Sequence, residues 1–225
     1  MTVTPMAQSG PTACRLNLRG EQQVMGCDHR FEESRERNVG GTEGKRPVLY
    51  VVACGGYPAE NLPSLVERAV ADHWDVCVIA TPKGLDFLDV ARLHELTGHP
   101  VRYDYKQPND PDVLPSADVF LIAPATFNTI NKLALGISDT LALGLLNEAI
   151  GAGMRVIAVP WPNRVLARRL PFQRSVESLR GEGVTFILNQ DTLPVPASGR
   201  PGAEAFPWNE VHQELAAVRR DDAMS

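Results

Sequence analysis

The sequence lacks features that mark two common classes of protein. Its 22 basic residues are outnumbered by 27 acidic ones, and the formal net charge of −5 argues against a nucleic-acid-binding surface. Its longest apolar runs are too short to span a membrane, and its N-terminus has no apolar signal core. We therefore expect neither nucleic acid nor membrane among its partners.

Cysteine is also scarce. The four cysteines are Cys14, Cys27, Cys54 and Cys77, and they show neither metal-ligand spacing nor a disulfide framework. This pattern predicts no metal site. A reducing cytoplasm is the simplest location for such a chain.

The composition that remains is that of an ordinary globular protein, with 44% apolar and 22% charged residues. Residues 1–46 lack sustained periodicity and end in a linker-like stretch, so we predict a disordered N-terminal extension there. Residues 47–190 are predicted to form one domain. Residues 191–225 are expected to add a peripheral C-terminal loop and a short helix.

Apolar runs alternate with helical patterns from residue 47 onwards. The runs indicate strands at residues 48–53, 75–80, 100–103, 118–123, 155–159 and 184–188. Helical patterns lie at about residues 61–72, 87–96, 128–137, 140–151 and 170–181. This alternation predicts an α/β fold, a Rossmann-like, doubly wound parallel sheet within three α/β/α layers.

Two strand-to-helix junctions carry small or polar residues, at the edge where open α/β sheets bind ligands. Gly55 and Gly56 follow the first strand, and they either let the backbone approach a phosphate or form a tight turn. Thr81 follows the second strand, and it either contacts a ligand or caps a helix.

The third junction is the most informative stretch of the chain. It reads Ala123-Pro124-Ala125-Thr126-Phe127-Asn128-Thr129-Ile130-Asn131-Lys132. Its short polar side chains can form hydrogen bonds without filling a crevice, although helix capping by Thr126 or Asn128 explains the pattern equally well. Together the three junctions describe a pocket suited to a mononucleotide.

The order of these motifs resembles the flavin-containing cysteine decarboxylases, which include lantibiotic-type peptidyl-cysteine decarboxylases and phosphopantothenoylcysteine decarboxylase. The similarity covers about residues 48–188 and is most specific from Ala123 through Asn128, Lys132, Gly136 and Asp139. It implies FMN as the cofactor and a homo-oligomer, either a trimer or a dodecamer. The FMN-binding residues it implies are Gly55, Gly56, Thr81, Phe87, Ala123, Pro124, Ala125, Thr126, Asn128 and Thr129.

The family's substrate motif, Pro-x-Met-Asn-x-x-Met-Trp, is matched only in part by residues 160–167. The resemblance implies that Pro160, Asn163 and Arg164 bind the substrate. Asn163 would be catalytic by holding the substrate carboxylate, and Arg164 or Arg168 could add charge assistance. Because it follows a different strand, Asn163 is expected to lie away from residues 123–131.

The catalytic histidine of the family has no counterpart, since no histidine lies between His99 and the predicted strand at residue 118. Asp110 stands near that position. It either replaces the histidine, which requires burial to raise its pKa, or is a solvated turn residue. Two further residues are ambiguous: Trp161 stacks on a ligand or fills a core gap, and Cys54 faces the phosphate or is simply buried.

Three functions are consistent with these patterns. The first is an FMN-dependent oxidative decarboxylase of a cysteine-type thiol carboxylate, either a peptide ending in Cys or a small molecule. The second is an FMN enzyme of the same fold with other chemistry, such as reduction or flavin prenylation. The third is a non-catalytic flavin-binding module. Retention of Pro160 and Asn163 favours the first, and the missing histidine favours the other two.

Overall fold

Five parallel strands form one sheet in the order β2-β1-β3-β4-β5. The computed structural model describes residues 46–107, 109–111, 113–196 and 200–223. The strands are β1 (Val48–Ala53), β2 (Asp75–Ala80), β3 (Val119–Ala125), β4 (Arg155–Pro160) and β5 (Thr185–Phe186). The sheet confirms the predicted parallel α/β architecture. The prediction of disorder for residues 1–46 falls outside the described residues, apart from Arg46.

The strand order fixes where a ligand can bind. Consecutive strands β1 and β2 are neighbours, but the chain then crosses back and places β3 on the other side of β1. The connections therefore diverge between β1 and β3, and they open a crevice at the carboxyl ends of these two strands. Ligands of open α/β sheets bind at such a switch point.

Seven α-helices connect and cover the described part of the sheet. They are α1 (Leu62–Ala71), α2 (Val90–Thr97), α3 (Phe127–Ala134), α4 (Leu141–Gly151), α5 (Arg164–Ala167), α6 (Leu170–Gly181) and α7 (Trp208–Ala223). Short 3-10 helices lie at Tyr57–Asn61, Leu85–Phe87 and Arg200–Ala205. In the part of the chain that the structure describes, no helix is both long and apolar enough to cross a membrane.

Both faces of the sheet are buried, as the continuous apolar strands predict. Along β1, Tyr50 and Val52 face one core cluster, whereas Leu49 and Val51 face the other. The first cluster contains side chains of α3, α4 and α6, and the second contains side chains of α1, α2 and α7. The sheet is thus the middle of three layers.

The C-terminal region is longer and more buried than the short, peripheral helix we expected. Helix α7 has 16 residues, and its Val211, Leu215 and Val218 are almost fully buried against the face of the sheet that α1 covers. The spacing of four and three residues places these side chains on one helical face. That face makes the helix part of the core.

Two predicted strands are also reduced. The segment around residues 100–103 forms only an isolated bridge between Arg102 and Ile79. Pro100 has no N–H to donate, so a ladder cannot continue through it. The predicted strand at residues 184–188 shortens to the two residues of β5.

Candidate functional site

The glycines at the first two junctions are explained by tight packing between their loops. A Cβ atom on Gly55 would lie 2.9 Å from the carbonyl oxygen of Lys83, and one on Gly84 would lie 2.3 Å from that of Ala53. The Thr81 hydroxyl accepts a hydrogen bond from the Gly84 amide (3.1 Å) and donates to the Ala53 carbonyl (3.4 Å). The Thr81 hydroxyl is therefore used within the protein, as the capping alternative proposed.

The backbone amides of Gly55 and Gly56, next to these loops, remain available as hydrogen-bond donors to a ligand. The amides of both glycines donate to no residue in the described ranges, and both residues are half-buried. Phe87 lies beside this turn, because its ring meets that of Tyr57 edge to face at 5.6 Å. Gly56 in turn lies against Pro124, whose ring carbon is 3.7 Å from where a Cβ would stand. The first junction therefore meets the third.

A chain of hydrogen bonds ties the ends of β1 and β3 together. Thr126 caps α3 by accepting from the Thr129 amide at 3.2 Å, and the two threonine hydroxyls are hydrogen-bonded at 2.8 Å. The Thr129 hydroxyl donates to the Cys54 sulfur at 3.3 Å. Burial raises the pKa of the Cys54 thiol, so it remains a neutral, buried group. The buried hydrogen bond between Cys54 and Thr129 thus fixes the start of α3 against the end of β1.

A cavity of about 440 Å³ opens at the carboxyl ends of β3 and β4. It is lined by Thr126, Phe127, Asn128, Trp161, Pro162, Asn163 and Leu166, none of which carries a formal charge. The Trp161 amide donates to the Ala125 carbonyl at 2.8 Å, and this bond holds the ends of β3 and β4 next to each other. Our expectation that Asn163 lies away from residues 123–131 is therefore wrong, because β3 and β4 are neighbours in the sheet.

Within the predicted FMN segment, only part of the residues reach this cavity. Ala123, Pro124 and Ala125 are buried within β3, and Thr129 is buried beneath the first turn of α3. Asn128 is exposed, and its side chain makes no hydrogen bond with any described residue. Among the predicted polar residues, Asn128 is thus the one with unused donors and acceptors at the cavity.

Asn163 has a structural task as well as a place in the cavity wall. Its side-chain oxygen accepts from the amides of Val165 (3.1 Å) and Leu166 (3.0 Å), which makes it the N-cap of α5. Since the oxygen is committed to the helix, the amide nitrogen is the group left for a ligand. That nitrogen is a donor and suits a carboxylate or carbonyl oxygen.

Arg164 is turned to the opposite side of α5. Its guanidinium donates to the carbonyls of Leu193 (2.8 Å) and Asp191 (2.5 Å), and it lines a separate recess of about 90 Å³ with Arg168. The structure therefore does not bring either arginine to the cavity in which Asn163 lies. Pro160, the third predicted substrate residue, is buried at the end of β4 opposite Ala125.

Asp110 belongs to a different cavity. Its carboxylate accepts from the Gln107 amide at 3.0 Å, and its own amide donates to the Gln107 carbonyl at 3.0 Å, which makes it a turn residue. It lines a space of about 540 Å³ together with Tyr103 and Tyr105. That space shares no lining residue with the cavity at Asn163. Within one chain, Asp110 and Asn163 are therefore not brought together.

No histidine in the described ranges lines the cavity at Asn163. His99 pairs with Asp75 at 2.8 Å, and Asp75 begins β2, so this pair lies at the amino-terminal edge of the sheet. The described residues also contain no group of three or more His, Cys, Asp or Glu side chains that could hold a metal ion. The cavity offers hydrogen bonds and aromatic surface.

Sequence reasoning missed the aromatic support behind the cavity. The Trp161 ring meets Phe206 edge to face at 5.2 Å, and Phe206 packs against Trp208 at 4.4 Å. Trp161 therefore both lines the cavity and packs into the core, which combines the two alternatives left open for it. Phe206 lies 45 positions further along the chain, and no local pattern connects the two.

Comparison with known proteins agrees with this architecture. Residues 36–219 match the model of the Flavoprotein family. The chain belongs to this Flavoprotein family. The region matched contains every strand and every predicted site residue described above.

One curated relative is similar to this flavoprotein in sequence. It is the coenzyme A biosynthesis bifunctional protein CoaBC of Bacillus subtilis (strain 168), with 29% identity over 148 residues. The match covers 63% of this chain and 36% of the relative. The flavoprotein chain thus aligns with only about a third of that protein's length.

Two solved structures are similar in both fold and sequence. A PPC decarboxylase variant in complex with pantothenoylaminoethenethiol has 25% identity and a TM-score of 0.54, and the match covers 64% of this chain and 82% of that one. The cypemycin decarboxylase CypD has 25% identity and a TM-score of 0.53, with 71% and 90% covered. The Flavoprotein fold is thus shared with enzymes described as decarboxylases.

Proposed function

We propose that this flavoprotein binds FMN across the carboxyl ends of β1, β3 and β4, with the flavin ring in the cavity at β3 and β4, and that it oxidatively decarboxylates a cysteine-type thiol carboxylate. The observation that carries the proposal is the single cavity that joins Thr126 and Asn128 to Asn163. It combines the segment expected to hold a flavin ring with the residue expected to hold a substrate carboxylate. Similar proteins are described as PPC decarboxylase and cypemycin decarboxylase, which supports the same chemistry.

The residues present are compatible with FMN. The cavity volume lies within the range of small-molecule sites, and its lining is mostly apolar and aromatic with a few polar groups. The unused amides of Gly55 and Gly56 are backbone donors of the kind that hold a phosphate. The unused side-chain amide of Asn128 offers hydrogen bonds to the polar edge of a flavin ring. We assign FMN to these residues.

Each cavity residue then has a defined task. When bound, FMN supplies the acceptor for the two electrons that leave the substrate. The Asn163 amide nitrogen donates to the substrate carboxylate and orients it for loss of CO₂. Trp161, supported by Phe206, forms a wall that keeps water from that side. The described lining contains no titratable side chain, so proton transfer has to use a group outside it.

Assembly is the second part of the proposal. Five apolar side chains are exposed around α3, α5 and α6, namely Leu135 (75%), Ile137, Val165, Leu166 and Leu170. Exposed apolar side chains near a site favour contact with another protein surface. We propose a homo-oligomer, a trimer or a dodecamer, in which a neighbouring chain can supply the group for proton transfer. Native mass spectrometry tests this assembly, and a monomer that retains bound FMN would contradict it.

The test of function combines spectroscopy with product analysis. Purified protein should show flavin absorbance, and denaturation should release FMN and not FAD. Under anaerobic conditions, a peptide ending in Cys or phosphopantothenoylcysteine should bleach the flavin and lose CO₂, whereas the same peptide ending in Ser should do neither. The absence of FMN binding by folded protein would overturn the proposal.

A second candidate function is supported by one observation. Because no titratable side chain lines the described cavity, FMN chemistry of another kind or a non-catalytic flavin-binding role fits the same residues. Bound FMN without loss of CO₂ from any thiol carboxylate would favour this second candidate.

A further inference from the structure

The Trp161 ring is held in the cavity wall by packing and not by a hydrogen bond. Its backbone is fixed, because the Trp161 amide donates to the Ala125 carbonyl at 2.8 Å. Its indole N–H, by contrast, donates to no residue in the described ranges. The residue is half-buried and packs against the core clusters on both faces of the sheet. The position of the ring therefore depends on the side chains that pack against it.

Phe206 is an aromatic side chain that packs against Trp161 from outside the cavity. The two rings meet edge to face, with their centroids 5.2 Å apart and their planes at 66°. Phe206 is 4% exposed, and it is not among the residues that line the cavity. Edge-to-face packing brings the positive edge of one ring to the negative face of the other, so it favours one relative orientation. Phe206 therefore fixes the orientation of the Trp161 ring without lining the cavity itself.

Phe206 is in turn held in place by the chain around it. Its amide donates to the Ala203 carbonyl at 3.1 Å, and its carbonyl accepts from the Trp208 amide at 2.8 Å. Its ring packs against the Trp208 ring, with a distance of 4.4 Å between the centroids. The 3-10 helix at Arg200–Ala205 lies next to the 3-10 helix at Tyr57–Asn61, in the loop after β1. The C-terminal segment is therefore anchored beside the first junction as well as behind the cavity.

We infer that Phe206 is a positioning residue, which holds the Trp161 ring in the cavity wall and so determines how closely the cavity encloses the flavin. The inference rests on the proposed function, because it places the flavin ring in the cavity at Asn163. It makes residues 200–208 part of the cofactor site, although they lie outside the domain that the sequence predicts. Without Phe206 the Trp161 ring can rotate, and the flavin then loses contact area on that side.

A second aromatic pair provides a matched control for Phe206. Tyr50 and Phe120 also meet edge to face, at 5.2 Å and 64°, and Phe120 is likewise 4% exposed. Neither residue lines the cavity at Asn163. The Tyr50 hydroxyl donates to the Pro115 carbonyl at 2.8 Å, so a hydrogen bond holds this ring in addition to packing. Phe120→Leu and Phe206→Leu remove the same kind of ring contact, but only Phe206→Leu should release a ring at the cavity.

The first measurement detects the motion of the Trp161 ring and needs no cofactor. The chain contains three tryptophans, so the variant W74F/W208F leaves Trp161 as the only one. Time-resolved fluorescence anisotropy of this full-length protein, freed of FMN and shown by circular dichroism to be folded, reports the nanosecond motion of the indole. Phe206→Leu should increase the amplitude of this motion, and Phe120→Leu should leave it unchanged. Equal amplitudes in these two variants would overturn the inference.

The second measurement uses isothermal calorimetry to follow the affinity for FMN. Phe206→Leu should weaken FMN binding about threefold to tenfold, since an edge-to-face aromatic pair contributes a factor of about that size. Phe120→Leu should weaken it by less than about twofold. In the Trp161→Ala background, Phe206→Leu should cause no further loss, because the ring that it positions is gone. Equal losses for Phe206→Leu and Phe120→Leu, or an undiminished further loss in the Trp161→Ala background, would contradict the positioning role.

The two measurements separate this inference from the proposed function. Greater motion of Trp161 in Phe206→Leu, in a protein that binds no FMN, would contradict the proposed cofactor and still support the positioning of the ring by Phe206. FMN binding and loss of CO₂ that are the same in Phe206→Leu and in the wild type would support the proposed function and overturn the inference.

Discussion

The carboxyl ends of β1 and β2 and those of β3 and β4 all carry small or polar residues, but their structures differ. At β1 and β2, Gly55 and Gly84 are small because another loop packs against them, and the Thr81 hydroxyl is bonded within the protein. At β3 and β4, Asn128 and Asn163 line open space. At the first pair of ends the protein fills the space for side chains and leaves the backbone amides of Gly55 and Gly56 unused, whereas the second pair leaves an open cavity for a ligand.

The comparison teaches that a small or polar residue after a strand has two separate physical causes. One is the close approach of a second backbone, which removes the space for a side chain. The other is a ligand, which needs space and hydrogen-bonding groups that the protein leaves unused. Substitutions at the two pairs of ends should therefore affect different quantities: stability at β1 and β2, and ligand binding at β3 and β4.

The largest expected effect is on stability at the first pair of ends. Replacement of Gly84 by Ala puts a methyl group 2.3 Å from the Ala53 carbonyl oxygen, so one of the two loops has to move. We expect Gly84→Ala to lower the free energy of unfolding by about 3 kcal/mol. Urea unfolding followed by circular dichroism measures this change.

Gly151→Ala provides the matched control for Gly84→Ala. Nothing lies within 4 Å of the added methyl group there, and Gly151 is the last residue of α4. The control should change the free energy of unfolding by less than about 1 kcal/mol, in the stabilising direction. A Gly84→Ala variant as stable as this control would remove the packing explanation for the glycines.

Substitutions of Asn163 can test its two roles, capping of α5 and binding of a ligand, separately. Asn163→Asp keeps the acceptor for the Val165 and Leu166 amides but replaces the donor with a negatively charged oxygen. We expect unchanged stability and a roughly hundredfold loss of kcat/KM for a thiol carboxylate, since a hydrogen bond to a charged group contributes about 1.5–3 kcal/mol. Steady-state kinetics and thermal unfolding measure the two effects.

Asn163→Ala complements Asn163→Asp, because it also removes the acceptor that caps α5. It removes both the cap and the donor, so we expect a stability loss of about 1 kcal/mol together with a roughly tenfold to hundredfold loss of kcat/KM. If Asn163→Asp retained full activity, the proposed contact with the substrate carboxylate would be wrong. Asn163 would then be only the N-cap of α5.

The fold could largely be predicted from the sequence, because buried parallel strands are continuous apolar runs and helices are amphipathic. The burial of α7 was missed, although Val211, Leu215 and Val218 have helical spacing, because a weak pattern near a chain end resembles a surface helix. The expectation that Asn163 lies away from residues 123–131 was wrong because the strand order could not be predicted. Asn163 joins the cavity at Asn128 only because β3 and β4 are neighbours, and local periodicity carries no information on strand order.

The roles of individual site residues were predictable only in part. Capping by Thr126 was one of the alternatives left open and is confirmed, whereas capping by Asn163 was not predicted; both residues cap helices while lining the cavity. Arg164 could not be assigned from the sequence, since its partners are carbonyl oxygens of Asp191 and Leu193, nearly 30 residues away. Such contacts depend on how a loop folds back in space.

Asn128 should show a smaller effect that is confined to the cofactor. Its exposed side chain makes no hydrogen bond within the described chain, so Asn128→Ala should leave stability within about 0.5 kcal/mol. We expect FMN to bind about fivefold to tenfold more weakly, the equivalent of one lost hydrogen bond. Isothermal calorimetry measures the affinity, with Asn209→Ala on the exposed side of α7 as the control. Equal FMN affinities for the two variants would remove Asn128 from the site.

The smallest effect is expected at Asp110. Asn at this position keeps an oxygen that can accept from the Gln107 amide, so the turn is preserved. Because Asp110 lies in a different cavity from Asn163, Asp110→Asn should change kcat by less than about twofold. A large loss of kcat with an unchanged FMN affinity would mean that a neighbouring chain brings this carboxylate to the reaction.

The central claim is that the space at β3 and β4, and no other cavity of the molecule, holds the flavin. A crystal structure of the protein saturated with FMN tests this claim most directly. We predict that the flavin ring lies in the cavity lined by Thr126, Asn128 and Trp161, with its phosphate near the amides of Gly55 and Gly56. Flavin density beside Asp110 and Tyr103 instead, or no ordered flavin in protein that binds FMN in solution, would contradict the account.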